Sequence, residues 1–274
     1  MFRRLVMSHW RRHGRHDLPW RRTTDPYRIL VSEVMLQQTQ VPRVVDKYRE
    51  FLRAFPTFRA LARSGPARVL KVWQGLGYNR RALQLYRCAG AVVGGSGGTL
   101  PREYDALCGL PGIGPYTAGA VLAFAFDIPQ PIIETNIRRV YLHHFFPRSR
   151  NVHDARLMPL IERHVSQVHS PRIWYGALMD YGTHLASEVV NPNRRSRHHT
   201  RQTVFEGSDR QVRGSVLRAL ASRSRLIAAN IARAAHVPVE RIRGLLPVLE
   251  REGFIRRCRH TWCVHNPHWS LSDR

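Results

Sequence analysis

The sequence of 274 residues is short of acidic residues and almost devoid of lysine. It contains 19 Asp and Glu residues against 44 Lys and Arg, and only Lys47 and Lys71 are lysines. The formal net charge is +25 at pH 7. A chain this basic favours a polyanionic partner, most often nucleic acid. The scarcity of lysine also limits any chemistry that needs a side-chain amine as nucleophile.

Cysteine and long apolar stretches are also scarce. The four cysteines (Cys88, Cys108, Cys258 and Cys263) contain no C-x-x-C pair, so a disulfide framework is disfavoured. No apolar run approaches the roughly 20 residues of a membrane span. The first 16 residues lack the apolar core of a secretory signal. We therefore expect a cytoplasmic, nucleoid-associated protein with no membrane partner.

Apolar periodicity along the chain predicts an all-α protein with a small hairpin near its end. Asp25 and Pro26 start one helix, and the charge-free run 117–126 predicts a helix buried on all sides. Residues 208–265 have the pattern of three helices followed by a hairpin, which is typical of a winged helix. The predicted organisation is a first domain at 1–190, a basic linker at 191–204, a winged-helix-like domain at 205–266 and a tail at 267–274.

Two isolated carboxylates stand out among apolar or turn residues. Glu33 lies within a helix that is otherwise almost wholly apolar, and Glu134 follows a proline-containing turn at the start of a new helix. A carboxylate is costly to bury unless it is paired or neutral, and burial raises its pKa. The structural alternatives are that Glu33 faces a polar crevice and that Glu134 has only a helix-capping role. Thr135 or Asn136 is a further candidate for the cap of this helix.

Three turns have the composition of nucleic-acid contacts. Gly112 and Gly114 flank Ile113 in a turn whose bare backbone N–H groups can approach an anion. Tyr78 lies on a Gly-rich turn, where aromatics either wedge between bases or pack in the core. A polar cluster at 37–40 suits hydrogen bonds to bases or the filling of a gap in a duplex, or else simple helix capping at the surface.

Five motifs follow one another along the chain: SEVMLQQTQV (32–41), WQGLGY (73–78), LPGIGPYTAGAV (110–121), ETNIRRV (134–140) and ALMDYG (177–182). Together they resemble the motifs of the adenine DNA glycosylases of the MutY type. That family belongs to the helix-hairpin-helix (HhH-GPD) superfamily, with endonuclease III and the mismatch thymine glycosylases. The resemblance covers about residues 15–190 in collinear order and implies a two-lobed fold that holds double-stranded DNA in the cleft between the lobes.

The resemblance implies a catalytic pair and a monofunctional reaction. It implies that Glu33 is the general acid and that Glu134 stabilises the sugar cation where the family carries Asp. Tyr116 occupies the position of the Schiff-base lysine of bifunctional members, so no strong lyase activity is expected. The implied DNA-binding residues are Gln37, Gln38, Thr39, Tyr78, Gly112, Ile113, Gly114, Tyr116, Asn136 and Arg138.

The sequence departs from the family at two further places. Most relatives bind a 4Fe–4S cluster through four cysteines after the ALMDYG-like helix, but residues 186–202 contain none, so we expect no iron–sulfur cluster. The basic run 194–201 is predicted to replace, by its positive charge, the phosphate contacts that the cluster loop makes in those relatives. A winged-helix-like segment stands where relatives that recognise 8-oxoguanine carry a Nudix-like domain. The identity of the base opposite the excised one is therefore left open.

A zinc site in the hairpin is not favoured by the sequence. Cys258, His260, Cys263 and His265 share one face only if Thr261-Trp262 forms the turn, and that dipeptide is a poor hairpin turn. We therefore expect no metal and no cofactor.

The predicted function is excision of adenine opposite G or 8-oxoguanine by a monomeric enzyme. Removal of thymine or uracil from G mismatches is an alternative, because the hairpin motif and Tyr116 also suit that branch. A non-catalytic DNA-binding or regulatory protein on the same fold is the other alternative, favoured by the missing cluster motif and by Glu134 in place of Asp.

Overall fold

A computed structural model describes residues 1–199, 206–223 and 225–265 of the chain. These residues form fourteen α-helices and one two-stranded hairpin, which confirms the predicted all-α fold. Among the described residues, no helix combines the length and apolarity needed to cross a membrane. The helices are α1 (Phe2–His13), α2 (Pro26–Leu36), α3 (Val41–Ala54), α4 (Phe58–Arg63), α5 (Pro66–Trp73), α6 (Arg80–Ser96), α7 (Tyr104–Cys108), α8 (Pro115–Phe126), α9 (Thr135–Phe145), α10 (Met158–Val165), α11 (Pro171–Glu188), α12 (Asp209–Ser222), α13 (Ala228–Ala235) and α14 (Val239–Arg251), and the strands are β1 (Ile255–Cys258) and β2 (Thr261–Val264).

The first of two compact units contains residues 1–33, 101–109 and 113–199. In it α11 packs against α1, α8 and α9. Residues 117–124 of α8 are all buried, which confirms the helix predicted from the charge-free run. Glycines let packed segments of this unit approach each other closely. A Cβ on Gly119 would collide with Ile132, and a Cβ on Gly182 would collide with the backbone of Asn136.

The second unit contains residues 34–100, 110–112 and the described residues from 206 onwards. The predicted three helices and hairpin are present as α12, α13, α14 and β1–β2. Helix α12 packs on α5, and Arg87 Nη2 donates a hydrogen bond of 3.2 Å to the carbonyl of Gly253. An independent domain at 205–266 stays a prediction; residues 200–204 of the predicted linker and the predicted tail at 267–274 lie outside the described residues.

The hairpin turns at Arg259 and His260, and Cys258 pairs with Thr261. The turn at Thr261-Trp262 that a zinc site would need is therefore not formed, because both residues belong to β2. The arrangement on which the zinc hypothesis depended is not formed, and the described residues contain no group of three or more His, Cys, Asp or Glu placed to hold a metal. The Sγ atoms of Cys258 and Cys263 lie 2.9 Å apart across the hairpin.

Candidate active site

Glu33 is buried in the first unit on α2. The helix begins as predicted, because Pro26 occupies its first turn and Asp25 Oδ1 accepts hydrogen bonds from the backbone of Tyr27 and Arg28. The turns that follow are apolar, and they carry Glu33 to a position where it is only 6% exposed. Burial raises the pKa of Glu33 to about 7, since a charged carboxylate loses its hydration there.

Tyr116 on α8 is the hydrogen-bond partner of Glu33. Its hydroxyl donates to Glu33 Oε2 over 3.0 Å. Burial, with the neighbouring carboxylates of Glu33 and Glu134, raises the pKa of Tyr116 well above its ordinary value, so the phenol keeps its proton and remains a donor. This bond and the nearby Arg21 oppose the rise in the pKa of Glu33, whereas the charge of Glu134 adds to it.

Arg21 belongs to an ion cluster on the buried side chain of Asp180. Asp180 accepts hydrogen bonds from Arg15 Nε over 2.7 Å and from Arg21 Nη2 over 3.4 Å. It lies on α11 in the ALMDYG motif and is 4% exposed. The sequence singled out that motif without predicting the role of its carboxylate, which is to pair with these two arginines.

Glu134 is the N-cap of α9. Its Oε1 accepts hydrogen bonds from the backbone N–H groups of Asn136 (2.7 Å) and Ile137 (2.8 Å), and its Oε2 accepts one of 3.3 Å from Asn136 Nδ2. Thr135 and Asn136, the other candidates, are therefore not the cap, and the capping role weighed as the alternative to catalysis belongs to Glu134 itself. Burial raises the pKa of Glu134, and the two backbone donors oppose that rise because they stabilise the carboxylate.

Two consecutive arginines flank this carboxylate from α9. Arg138, predicted to contact DNA, forms a two-pronged ion pair with Asp154, with distances of 2.8 and 2.6 Å. Arg139 is buried and donates from Nη1 to Asn136 Oδ1 (2.7 Å) and to the carbonyl of Gly182 (2.6 Å). Arg139 thus holds the residue that in turn donates to Glu134.

The segment 191–196 binds along α9. Asn193 Nδ2 donates to the carbonyl of Thr135 over 3.0 Å, and Arg195 Nη1 donates to that of Leu142 over 3.0 Å. Arg195 is one of the arginines predicted to contact phosphate, and its guanidinium is instead engaged with the backbone of α9. Sequence reasoning missed this role, although Asn191-Pro192-Asn193 has the composition of a side-chain-capped turn.

The predicted base-contacting residues of the second unit are organised by Arg81, which the sequence analysis did not identify. Arg81 Nη2 donates to Thr39 Oγ1 over 3.0 Å, and its guanidinium carbon lies 5.4 Å from the ring centroid of Tyr78. Tyr78 is 40% exposed. Burial lowers the pKa of Arg81 to about 10, and its Nη1 donates to three backbone carbonyls, those of Val34, Met35 and Gln37.

The turn at 110–114 exposes Gly112 and Gly114 and buries Ile113. Gly112 has φ +77°, and a Cβ there would lie 2.5 Å from Gln84 Cβ. Only glycine fits both constraints. Gly114 is the N-cap of α8, so its backbone lies where a helix N-terminus favours an anion.

Comparisons with known proteins give matches to DNA glycosylases. Residues 31–163 match the family described as HhH-GPD superfamily base excision DNA repair protein. The chain is 37% identical to an adenine DNA glycosylase of Mycolicibacterium smegmatis over 76% of each chain. It is 33% identical to one of Buchnera aphidicola over 66% of this chain and 52% of the other, so it spans about half of that relative. A solved thermostable thymine-DNA glycosylase superposes with a TM-score of 0.59 at 30% identity, covering 66% of this chain and 84% of the other.

Proposed function

Because this chain belongs to the HhH-GPD superfamily of base excision DNA repair proteins, we propose that it is a monofunctional adenine DNA glycosylase. It hydrolyses the N-glycosidic bond of adenine paired with G or 8-oxoguanine in double-stranded DNA, acting as a monomer on DNA in the cytoplasm. The observation that carries the proposal is Glu33: a buried carboxyl, bonded to Tyr116, with a pKa raised to about 7.

Glu33 acts as the general acid. Near neutral pH about half of its population holds a proton, since the pKa of about 7 lies close to the working pH. That proton passes to a ring nitrogen of the extruded adenine while the bond to the sugar breaks, and the electron pair of that bond leaves with the base. Proton donation of this kind contributes typically about 10²–10⁴-fold in rate.

Glu134 stabilises the sugar cation that remains. Its carboxylate is fixed by the N–H groups of Asn136 and Ile137, so it does not have to reorganise as charge develops. A water oxygen then attacks the sugar carbon and passes its proton to Glu134. The capping bonds hold the longer Glu side chain at the helix start, where the family carries Asp.

Six of the other predicted residues bind the duplex. The exposed backbone of Gly112 and Gly114 holds a DNA phosphate, and Tyr78 enters the base stack as the nucleotide leaves it. Gln37, Gln38 and Thr39 contact the bases around the gap that the extruded nucleotide leaves in the duplex. The net charge of +25 supports a DNA partner and predicts affinity that falls steeply with salt.

Single-turnover assays on A:8-oxoguanine, A:G, T:G and U:G duplexes test the proposal. We expect abasic product from the two adenine duplexes and a large loss in Glu33→Gln. Glu162→Gln is the matched control, because Glu162 is exposed on α10 in the same unit, and it should react like the wild type. Equal rates for the wild type and Glu33→Gln would refute the assignment of the acid.

Thymine or uracil excision is the second candidate. The likeness to a thymine-DNA glycosylase structure supports it, as does Tyr116 at the lysine position. Product from T:G or U:G alone would favour this candidate. Specific DNA binding with no product on any of the four duplexes would instead favour a non-catalytic binding protein.

A further inference from the structure

The C-terminal helices reach the turn that carries Tyr78. Within the second unit, Arg210 Nη1 donates a hydrogen bond of 3.3 Å to the hydroxyl of Tyr78. Arg210 lies in the first turn of α12, and α12 packs on α5, the helix that ends just before this turn. The two residues are 132 positions apart in sequence, so only the packing of α12 brings them together.

Tyr78 has an unusual backbone conformation. Its φ is +47°, in the left-handed region that residues other than glycine rarely adopt. It follows Gly77, whose φ is +71° and whose carbonyl accepts a hydrogen bond of 3.1 Å from Trp73 Nε1. Such strain persists where the surroundings over-determine it, and it is common at functional sites. The turn therefore projects a large, 40% exposed aromatic ring in a defined direction.

Two guanidinium groups contact the Tyr78 side chain at different places. Arg81 lies over the face of the ring, at 5.4 Å from its centroid, and Arg210 holds the hydroxyl at the far end. A cation over the face of the ring by itself still allows the side chain to rotate about its Cα–Cβ bond and swing. A donor on the hydroxyl restricts that swing, because it fixes the atom farthest from the backbone.

We propose that Arg210 is a positioning residue that holds Tyr78 in the orientation in which its ring enters mismatched DNA. The C-terminal helices thereby take part in recognising the mismatch, through a contact with the wedge residue. This inference rests on the proposed function, in which Tyr78 enters the base stack. Holding the ring before DNA arrives removes part of the entropy cost of binding, which corresponds to roughly threefold to tenfold in affinity for one ordered side chain.

A double-mutant cycle tests the contact. Arg210→Ala, Tyr78→Phe and the double variant are compared by dissociation constant on an A:G duplex and on a fully paired duplex. The fluorescence of 2-aminopurine beside the mismatch reports base stacking in the same samples. We expect Arg210→Ala and Tyr78→Phe each to weaken mismatch binding roughly threefold to tenfold, and the double variant to be no weaker than either. Binding to the paired duplex should change little.

The control is Arg218→Ala, which removes the same charge from an exposed position on the same helix and should not affect the 2-aminopurine signal. Equal losses from Arg210→Ala in the wild-type and Tyr78→Phe backgrounds would overturn the proposal, since the arginine would then act by charge alone. An unchanged affinity in Tyr78→Phe would also overturn it, even if Arg210→Ala fails to fold. If the wild type binds the mismatch but releases no base, the proposed glycosylase activity is refuted. The double-mutant cycle still tests the contact between Arg210 and Tyr78, because it measures binding.

Discussion

The hydroxyl of Tyr116 donates a hydrogen bond of 3.0 Å to Oε2 of Glu33, across 83 positions of sequence. The bond links α8 to α2 within the first unit. It supplies a neutral donor where bifunctional relatives are expected, from the resemblance, to carry an amine. The pKa of Glu33 therefore depends on the Tyr116 hydroxyl, and substitutions at either residue should change how readily Glu33 donates a proton.

Glu33 should make the folded protein less stable as the pH rises. Its folded pKa, about 7, lies above the ordinary value of 4.5, so the folded state binds the proton more tightly than the unfolded state. Stability is then lost between about pH 4.5 and pH 7, by about 3 kcal/mol in all. Glu33→Gln should therefore raise the free energy of unfolding at pH 8 by up to that amount, and by less than about 1 kcal/mol at pH 5. Denaturant titrations at both pH values measure the difference, and an equal effect at both would contradict the assignment.

Tyr116→Phe should move the alkaline limb of the single-turnover rate to higher pH. The hydroxyl bond stabilises the ionised form of Glu33 and lowers its pKa, so its removal raises that pKa. The pH–rate profile of the adenine duplex checks this, with Tyr86→Phe as a control that removes a hydroxyl from the second unit. If the alkaline limb of the profile stays in place or moves to lower pH, the hydrogen bond from Tyr116 does not lower the pKa of Glu33.

Tyr116→Lys should gain the ability to form a covalent adduct with DNA. An amine at this position can attack the sugar carbon as the base leaves, and borohydride then reduces the resulting Schiff base to a stable secondary amine. The wild type and Tyr116→Phe should give no trapped complex on a denaturing gel. Trapping by the wild type would contradict a monofunctional mechanism, since it would require Lys47, Lys71 or the terminal amine.

Glu134→Gln should separate capping from catalysis. The amide oxygen keeps an acceptor for the N–H groups of Asn136 and Ile137, so the free energy of unfolding should change by less than about 1 kcal/mol. The charge beside the sugar cation is lost, and the rate should fall by about 10²-fold or more. Glu134→Asp should also cap the helix but withdraw the carboxylate, at a cost of up to about 10²-fold. Wild-type rates in both variants would leave Glu134 as a cap only.

Asn193→Ala should destabilise the first unit. Its side chain is buried and donates to the carbonyl of Thr135, so its loss should cost about 1–2 kcal/mol of unfolding free energy. The neighbouring Arg194 is exposed, and Arg194→Ala should leave the unfolding free energy unchanged. If the basic run contacts phosphate, Arg194→Ala weakens DNA binding and reduces its salt dependence. Equal stability losses in the two variants would contradict the specific role of Asn193.

Much of the fold and part of the site could be predicted from local sequence. The resemblance seen in five motifs is confirmed by the family match. Helix α2 begins at Pro26 as predicted, and α8 contains the charge-free run 117–126. The burial of Glu33 follows from its apolar neighbours on one helix. The position of the hairpin turn could not be predicted, because a short hairpin with alternating residues fits more than one register and the choice depends on what the strands pack against.

The sequence by itself determined the helices, the excess positive charge, the lack of a lysine at position 116 and the presence of two isolated carboxylates. These follow from residue type and from neighbours within a few positions, where periodicity and capping act. Only the tertiary structure decided that Tyr116 bonds Glu33, that Asn193 holds the start of α9 and that Arg210 reaches Tyr78. Each of those contacts joins residues dozens of positions apart, and it forms only because packed helices bring distant side chains within hydrogen-bond distance.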